Sequence, residues 1–411
     1  MNVEPSIFHL DNGMRVVYLQ TPAIVAHLGV VIRAGSRFEE KGEEGLAHFI
    51  EHCIFKGTNK RRAFHVLSRL DSVGGELNAF TTKEEICVYE SFTQEHFKRG
   101  SDLLADIIFN STFPKKEIEK EKEVVLDEIN SYLDSPSEKI YDDYEYHLFK
   151  GNSLGNNILG TEDSVRSFQH KDLLQYMDKF FYPENMVLSF VGNIPAKKVI
   201  QQLNKDFGQL KQSNRKAVQP GLPKQLKPFY IDSKEANYQS HIMIGGWAPG
   251  YNHPNRRAFT LLMNILGGPA LNSRLGLSIR EKYGYTYNIE ANYTPFNEVG
   301  YWNVYAGTDV KYQKKTAKLI KKEINRFLTH ELTVNQLKKA KEQLKGHFAL
   351  GMDSNSGTML SFGKSLLVFN EVDTLDQIHA EIDAITPEEV QTIAKEFMQE
   401  EQFSTLIFSV K

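Results

Sequence analysis

The chain repeats its own plan at a distance of about half its length. Residues 168–193, FQHKDLLQYMDKFFYPENMVLSFVGN, match residues 385–410, ITPEEVQTIAKEFMQEEQFSTLIFSV, as an amphipathic helix, a short link and an apolar strand. Residues 113–135, FPKKEIEKEKEVVLDEINSYLDS, match 332–354, LTVNQLKKAKEQLKGHFALGMDS, as a long charged helix. The offset is 217 residues for the first pair and 219 for the second, in a chain of 411. A repeat of this length constrains the fold strongly, because each copy must bury its own apolar faces as one of two similar domains.

Between the copies, KQSNRKAVQPGLPKQLKP at 211–228 is polar and basic and carries three prolines and a glycine. Such a stretch forms no helix or strand of its own and reads as a linker. The expected organisation is a first domain at 1–212, a linker at 213–228 and a second domain of the same fold at 229–411. Within the first copy, MRVVYLQTP and IVAHLGVVIRAGS read as successive strands. Helical spacing follows at 44–56 and 63–73, then a Gly-Gly turn and a strand at 85–92. Consecutive strands beside several helices predict an α+β fold, each domain a mostly antiparallel sheet packed with helices, rather than a doubly wound parallel sheet.

Charge and cysteine content narrow the function classes. Net charge is −3 with lysines interleaved among acids, so no basic stripe suited to phosphate backbones is present and nucleic acid is not an expected partner. Two cysteines, Cys53 and Cys87, make neither a CxxC pair nor a disulfide framework, which fits a reducing compartment. No run of eighteen apolar residues and no basic leader with an apolar core is found, so the expectation is a soluble, cytoplasmic chain without a membrane partner.

Against that background EGLAHFIEHCIFKGT, 44–58, is unusual: two histidines and a glutamate stand within five positions of an apolar segment. On a helix His48 and His52 lie one turn apart on one face, with Glu51 beside them. Two neutral imidazoles at that spacing can hold one zinc ion, and a neighbouring carboxylate that is not a ligand can take a proton from water activated by the metal. The order His-x-x-Glu-His is the inverse of the commoner His-Glu-x-x-His. Two satisfied histidines and a solvated glutamate would give the same five letters, so a third ligand decides the matter. The helical run 115–132 offers Glu121 and Glu128, seven residues apart and on nearly the same face, and either suits the role. Glu128 follows the apolar triplet VVL, where the helix is expected to be buried, and a buried carboxylate needs a partner.

The segments GSRFEEKGEEGLAHFIEHCIFKGT, GGELNAFTTKEEICVYES and EKEKEVVLDEI resemble those of the pitrilysin-like inverzincin metallopeptidases, particularly the short type related to mitochondrial processing peptidase. The resemblance covers nearly the whole chain. It implies that His48, His52 and Glu128 ligate one Zn2+ per chain, that Glu51 is the general base, and that Glu121 supports a ligand histidine. It also implies that Asn78 and Ala79, in the strand after the Gly-Gly turn, contact the backbone of an extended peptide substrate. In the second copy LNSRLGLSIREKYGYTYNI, 271–289, resembles the family segment that supplies an arginine and, seven residues on, a tyrosine. These are Arg280 and Tyr287. The local wording KYGYTYN departs from the family's usual Leu-Ala-Tyr-Ser type, which leaves Tyr285 as a competing candidate.

The second copy lacks the metal motif. By the 219-residue offset Glu121 corresponds to Ala340 and Glu128 to His347. Cys53, directly after His52, turns away from the ligand face and is expected to be a packed thiol. Full-length family members join four such domains around the substrate, so the resemblance implies a homodimer of this two-domain chain, enclosing short or unfolded peptides. The function expected is therefore a zinc-dependent endopeptidase. The alternative is a noncatalytic or partner-dependent subunit of a heteromeric peptidase.

Overall fold

The computed structural model describes residues 4–210, 212–213, 215 and 217–411. Positions 1–3 and 211 of the first expected domain, and 214 and 216 of the expected linker, lie outside the described residues.

Two sheets carry the architecture. The first has six strands in the order β1-β2-β6-β3-β5-β4, formed by β1 (Ser6–His9), β2 (Arg15–Gln20), β3 (Val25–Ile32), β4 (Glu76–Thr81), β5 (Ile86–Thr93) and β6 (Met186–Gly192). Every neighbouring pair is antiparallel except β2 with β6. The second has five, in the order β7-β11-β8-β10-β9: β7 (Tyr230–Glu235), β8 (Ser240–Pro249), β9 (Thr286–Pro295), β10 (Val299–Thr308) and β11 (Ser404–Val410). Here β11 with β7 is the parallel pair. The two orders superimpose strand for strand once β1 is set aside, so the repeat in the sequence is a repeat of topology. The paired segments from which it was read form His170–Phe180 with β6 and Pro387–Phe397 with β11. The charged pair forms Lys115–Leu133 and Val334–Met352.

Each sheet is covered on both faces. In the first, alternate residues such as Ile86, Val88 and Phe92 of β5 point into a core built with the helices Leu46–Cys53, Phe97–Asn110, His170–Phe180 and Ala196–Phe207. Burying a side chain of this kind contributes roughly 1.5–3 kcal/mol. The opposite face carries the helix Asn355–Phe369, whose Phe362 and Leu366 pack on Val17 and Val187. Ser189 Oγ donates to Met359 O at 2.6 Å and Arg15 Nη1 to Leu366 O at 2.9 Å, fixing the helix along the sheet. Gly29 of β3 makes room for it: a Cβ there would stand 2.7 Å from Met359 Sδ.

That covering helix comes from the second half of the chain, and the exchange is mutual. The compact units are Met1–Ile129 with Asn156–Gly221 and Leu350–Thr374, and Asn130–Gly155 with Leu222–Ala349 and Leu375–Lys411. In the second unit the helix Pro136–Leu148, from the first half, lays Ile140, Tyr144 and Leu148 against Tyr301, Tyr305, Leu406 and Phe408. Tyr141 Oη donates to Glu290 Oε1 at 2.5 Å, and Tyr301 Oη donates to Glu145. The repeat in the sequence gives two contiguous domains; the compact units differ from that division by these two helices. Among the described residues no helix is long and apolar enough to cross a membrane.

Candidate metal centre

The helix Leu46–Cys53 is one of the shorter helices, and its position is fixed at both ends. It starts from Gly45, whose φ of 92° lies in the left-handed region, and a Cβ there would meet Leu159 O at 2.5 Å. No side chain at the cap position serves the first turn. Instead the buried carboxylate of Glu39 accepts from Gly45 N at 3.0 Å and Ala47 N at 2.8 Å, a remote cap for two amide groups that would otherwise be unpaired. Burial pushes the Glu39 carboxyl up to about 8, with the two amide bonds pulling the other way. Leu46, Ala47, Phe49, Ile50 and Cys53 anchor the helix in the core, leaving His48, Glu51 and His52 on the face toward the helix Lys115–Leu133.

Across that gap His52 Nε2 lies 3.4 Å from Glu128 Oε2 and His48 Nε2 lies 3.7 Å from the same oxygen. The three ligand atoms all fall within 4.8 Å of one another, the one such group among the described residues. Donors about 2.0–2.2 Å from a central zinc ion stand roughly 3.3–3.5 Å apart in a tetrahedral set, so two imidazoles and a carboxylate at these separations fit the ion in number, chemistry and spacing. His48 Nδ1 is buried without a hydrogen-bond partner, which leaves Nε2 as the nitrogen facing the site. Burial and the neighbouring His52 push His48 down to about 4, so it is a neutral imidazole at physiological pH, the form that ligates metals. The adjacent His52 imidazole holds Glu128 below the usual carboxylate range.

Further charged residues stand behind this group. Glu121 is buried; its Oε2 lies 3.5 Å from His52 Nδ1 and its Oε1 2.8 Å from Lys56 Nζ. Glu51, half-buried, has its carboxyl raised above the ordinary value by burial, with Thr81 and His52 opposing and Glu128 adding to the rise. A raised carboxyl pKa suits a group that must hold a proton for part of a cycle. Lys56, Glu39 and Thr81 were not singled out from the sequence. Lys56 lies four residues beyond His52, and that spacing is the one signal that points to it.

Asn78 and Ala79 stand on β4, the outermost strand of the first sheet. Ala79 N donates to Asn78 Oδ1 at 2.9 Å, so a side chain occupies an amide that a neighbouring strand would otherwise take. Cys53 is buried in the core, and burial raises its thiol pKa. In the second unit Ala340 is a core residue, and His347 Nδ1 shares a hydrogen bond with Asn264 Oδ1 at 3.2 Å. Arg280 lies in the π-helical turn Gly276–Glu281, its Nε donating to Glu281 Oε1 at 3.0 Å. Tyr287 is the second residue of β9 and is 93% exposed, whereas Tyr285 is stacked between Tyr283 and Tyr312 at ring separations of 5.2 and 4.3 Å.

Comparison with known proteins follows the same division. Residues 15–162 match the model of the insulinase family, peptidase family M16, and residues 167–344 match the M16 inactive domain. An uncharacterized zinc protease of Bacillus subtilis, YmxG, is 33% identical across 97% of this chain and 96% of its own. The chain belongs to peptidase family M16. An uncharacterized zinc protease of Streptomyces coelicolor is 29% identical across 95% of this chain and 86% of its own. Solved structures share the fold: a protease from Helicobacter pylori superimposes with a TM-score of 0.90 at 21% identity, covering 99% of this chain and all of that one. An M16 inactive-domain protein from Pseudomonas fluorescens superimposes with a TM-score of 0.92 at 17% identity, covering 100% of this chain and 98% of the other. The M16 match and the inactive-domain match fall on the copy with the histidine motif and mostly on the copy without it.

Proposed function

We propose that this M16 chain is a zinc-dependent endopeptidase that hydrolyses peptide bonds in short or unfolded peptides. The observation that carries the reading is the convergence of His48, His52 and Glu128 beside a half-buried Glu51 that is outside that group. A zinc ion held by those three residues supplies Lewis acidity, acidifying water and polarising a scissile carbonyl. Glu51 then accepts the proton of the attacking water and returns it to the leaving amine, a transfer eased by its raised pKa. Glu121 holds His52 through Nδ1 and directs Nε2 to the site.

Substrate binding is assigned to β4. An extended peptide added to this outer strand would pair with its free backbone groups and displace Asn78 Oδ1 from Ala79 N. Recognition through the main chain makes sequence preference modest and requires an unfolded substrate. Arg280 is proposed to bind a substrate carbonyl and Tyr287 to stabilise the oxyanion. The exposure of Tyr287, against the stacked and packed Tyr285, supports Tyr287 for that role. We assign the working form to a homodimer enclosing the substrate in a chamber, in the cytoplasm. The test is cleavage of an unstructured quenched peptide by zinc-loaded protein: the reading predicts turnover that a chelator abolishes and zinc restores, with folded proteins left intact. Zinc-loaded protein inert toward a diverse peptide pool would transfer the chain to the noncatalytic class.

A further inference from the structure

The second unit contains a cavity of about 630 Å³ whose charge balance is uneven. Arg274, Lys282, Lys322 and Arg326 line it, against Glu323 and Glu331. Arg326 is committed, its Nη1 donating to the two oxygens of Glu323 at 2.8 and 3.0 Å. Arg274, Lys282 and Lys322 have no carboxylate at ion-pair distance among the described residues. The Arg274 guanidinium lies 4.0 Å over the Phe327 ring, which holds it in place, and burial lowers its pKa with only Glu323 opposing.

A second, independent observation lies in the same wall. The Ser278 hydroxyl is buried with no hydrogen-bond partner and lines this cavity. An unpaired buried hydroxyl is destabilising, and a ligand accepting its proton would remove that penalty. A planar two-point donor, two ammonium groups, one of them 5.3 Å over the Tyr283 ring, and a hydroxyl are the donor set that recognises phosphate oxygens. Leu277 and Tyr283, 50% and 44% exposed, give the cavity an apolar side as well. An inorganic ion would leave most of such a volume unfilled and that side bare; ligand cavities of about 300–1,000 Å³ hold organic molecules.

We propose that this cavity binds a small organic phosphate. The phosphate sits between Arg274, Ser278, Lys282 and Lys322, and the organic body lies toward Leu277 and Tyr283. The consequence for the peptidase is direct, because Ser278 and Arg280 share the π-helical turn Gly276–Glu281. Fixing Ser278 and Lys282 fixes the backbone that presents Arg280. This consequence rests on the proposed function, whereas the binding itself does not.

The experiment is calorimetric titration of the zinc-loaded full chain with a hexose bisphosphate at constant ionic strength, for wild type, Lys322→Glu and Arg274→Gln. Lys322 is exposed on the helix Gln313–Thr329, so its replacement leaves folding intact. Zinc content and the thermal melt check the same for Arg274→Gln. One saturable site per chain is expected, at least about tenfold weaker in each folded variant and at least about tenfold weaker for inorganic phosphate in the wild type. No saturable binding to wild type, or binding unchanged in Lys322→Glu, overturns the site. Equal affinity for inorganic phosphate overturns the organic ligand. Peptide cleavage followed in the same samples separates the two ideas: binding without any cleavage contradicts the proposed function and leaves the phosphate site standing.

Discussion

At the scale of single residues, the two histidines of the candidate centre are held by groups that the sequence motif does not contain. Lys56 pairs with one oxygen of Glu121 while the other faces His52 Nδ1, so the lysine sets where the supporting carboxylate sits. Removing such outer contacts typically weakens metal binding by about 10–100-fold. Lys56→Met is therefore expected to lose zinc affinity by roughly that factor in competition with a chelator, with Lys56→Arg restoring most of it; equal affinity in wild type and Lys56→Met would leave the lysine without a positioning role. Glu90 is a different case. It is fully buried in the core of the first unit with both oxygens unpaired, and burial raises its pKa well above the carboxylate value. The folded state then binds a proton that the unfolded state releases above its own carboxyl pKa. Stability contributed below that pKa is accordingly lost as pH rises toward the folded value. Glu90→Met should stabilise the protein by about 1–3 kcal/mol at pH about 8 and by less at pH about 5 in urea unfolding, and a gain independent of pH would contradict a protonated Glu90.

At the scale of elements, the helix Leu46–Cys53 shows what a short helix needs to carry chemistry. Its eight residues could not hold a fixed direction alone, and Glu39 supplies the N-terminal contacts from outside. Glu39→Ala leaves two buried amides unpaired and is expected to cost about 1–2 kcal/mol, with a parallel loss of zinc affinity measured on the same protein. Stability lost without any change in zinc binding would separate the cap from the metal centre. The ligand motif was readable because its three polar groups interrupt an apolar helix face; Glu39 was not, because a cap contributed from six residues away has no periodic signature. The repeat was readable for a related reason, since the patterns His170–Phe180 with β6 and Pro387–Phe397 with β11 are local. The helices Pro136–Leu148 and Asn355–Phe369 were hidden. Their apolar faces are visible in the sequence, but which sheet covers them depends on strands lying far along the chain, and periodicity carries no such address. Leu366→Ala tests the packing of Asn355–Phe369 on the first sheet: a buried leucine lost from this interface is expected to cost about 2–5 kcal/mol in urea unfolding, and a cost under about 1 kcal/mol would place the helix elsewhere.

At the scale of the whole molecule, one fold is used twice and, among the described residues, only the first copy brings together a group that could hold a metal ion. Where Glu121 and Glu128 lie beside the histidines, the second copy has Ala340 in its core and His347 bonded to Asn264. The second copy is thereby released for other work, and the account gives it Arg280 and Tyr287 for the reaction and the basic cavity for a ligand. The whole account depends on Glu51 acting as a base beside a zinc ion held by His48, His52 and Glu128. The most direct measurement is zinc content together with hydrolysis of an unstructured quenched peptide, comparing wild type with Glu51→Gln at matched zinc occupancy. The account predicts one zinc per chain in both proteins and a loss of at least about a hundredfold in kcat for the variant alone. Comparable turnover by Glu51→Gln, or a wild-type protein that binds no zinc, would contradict it.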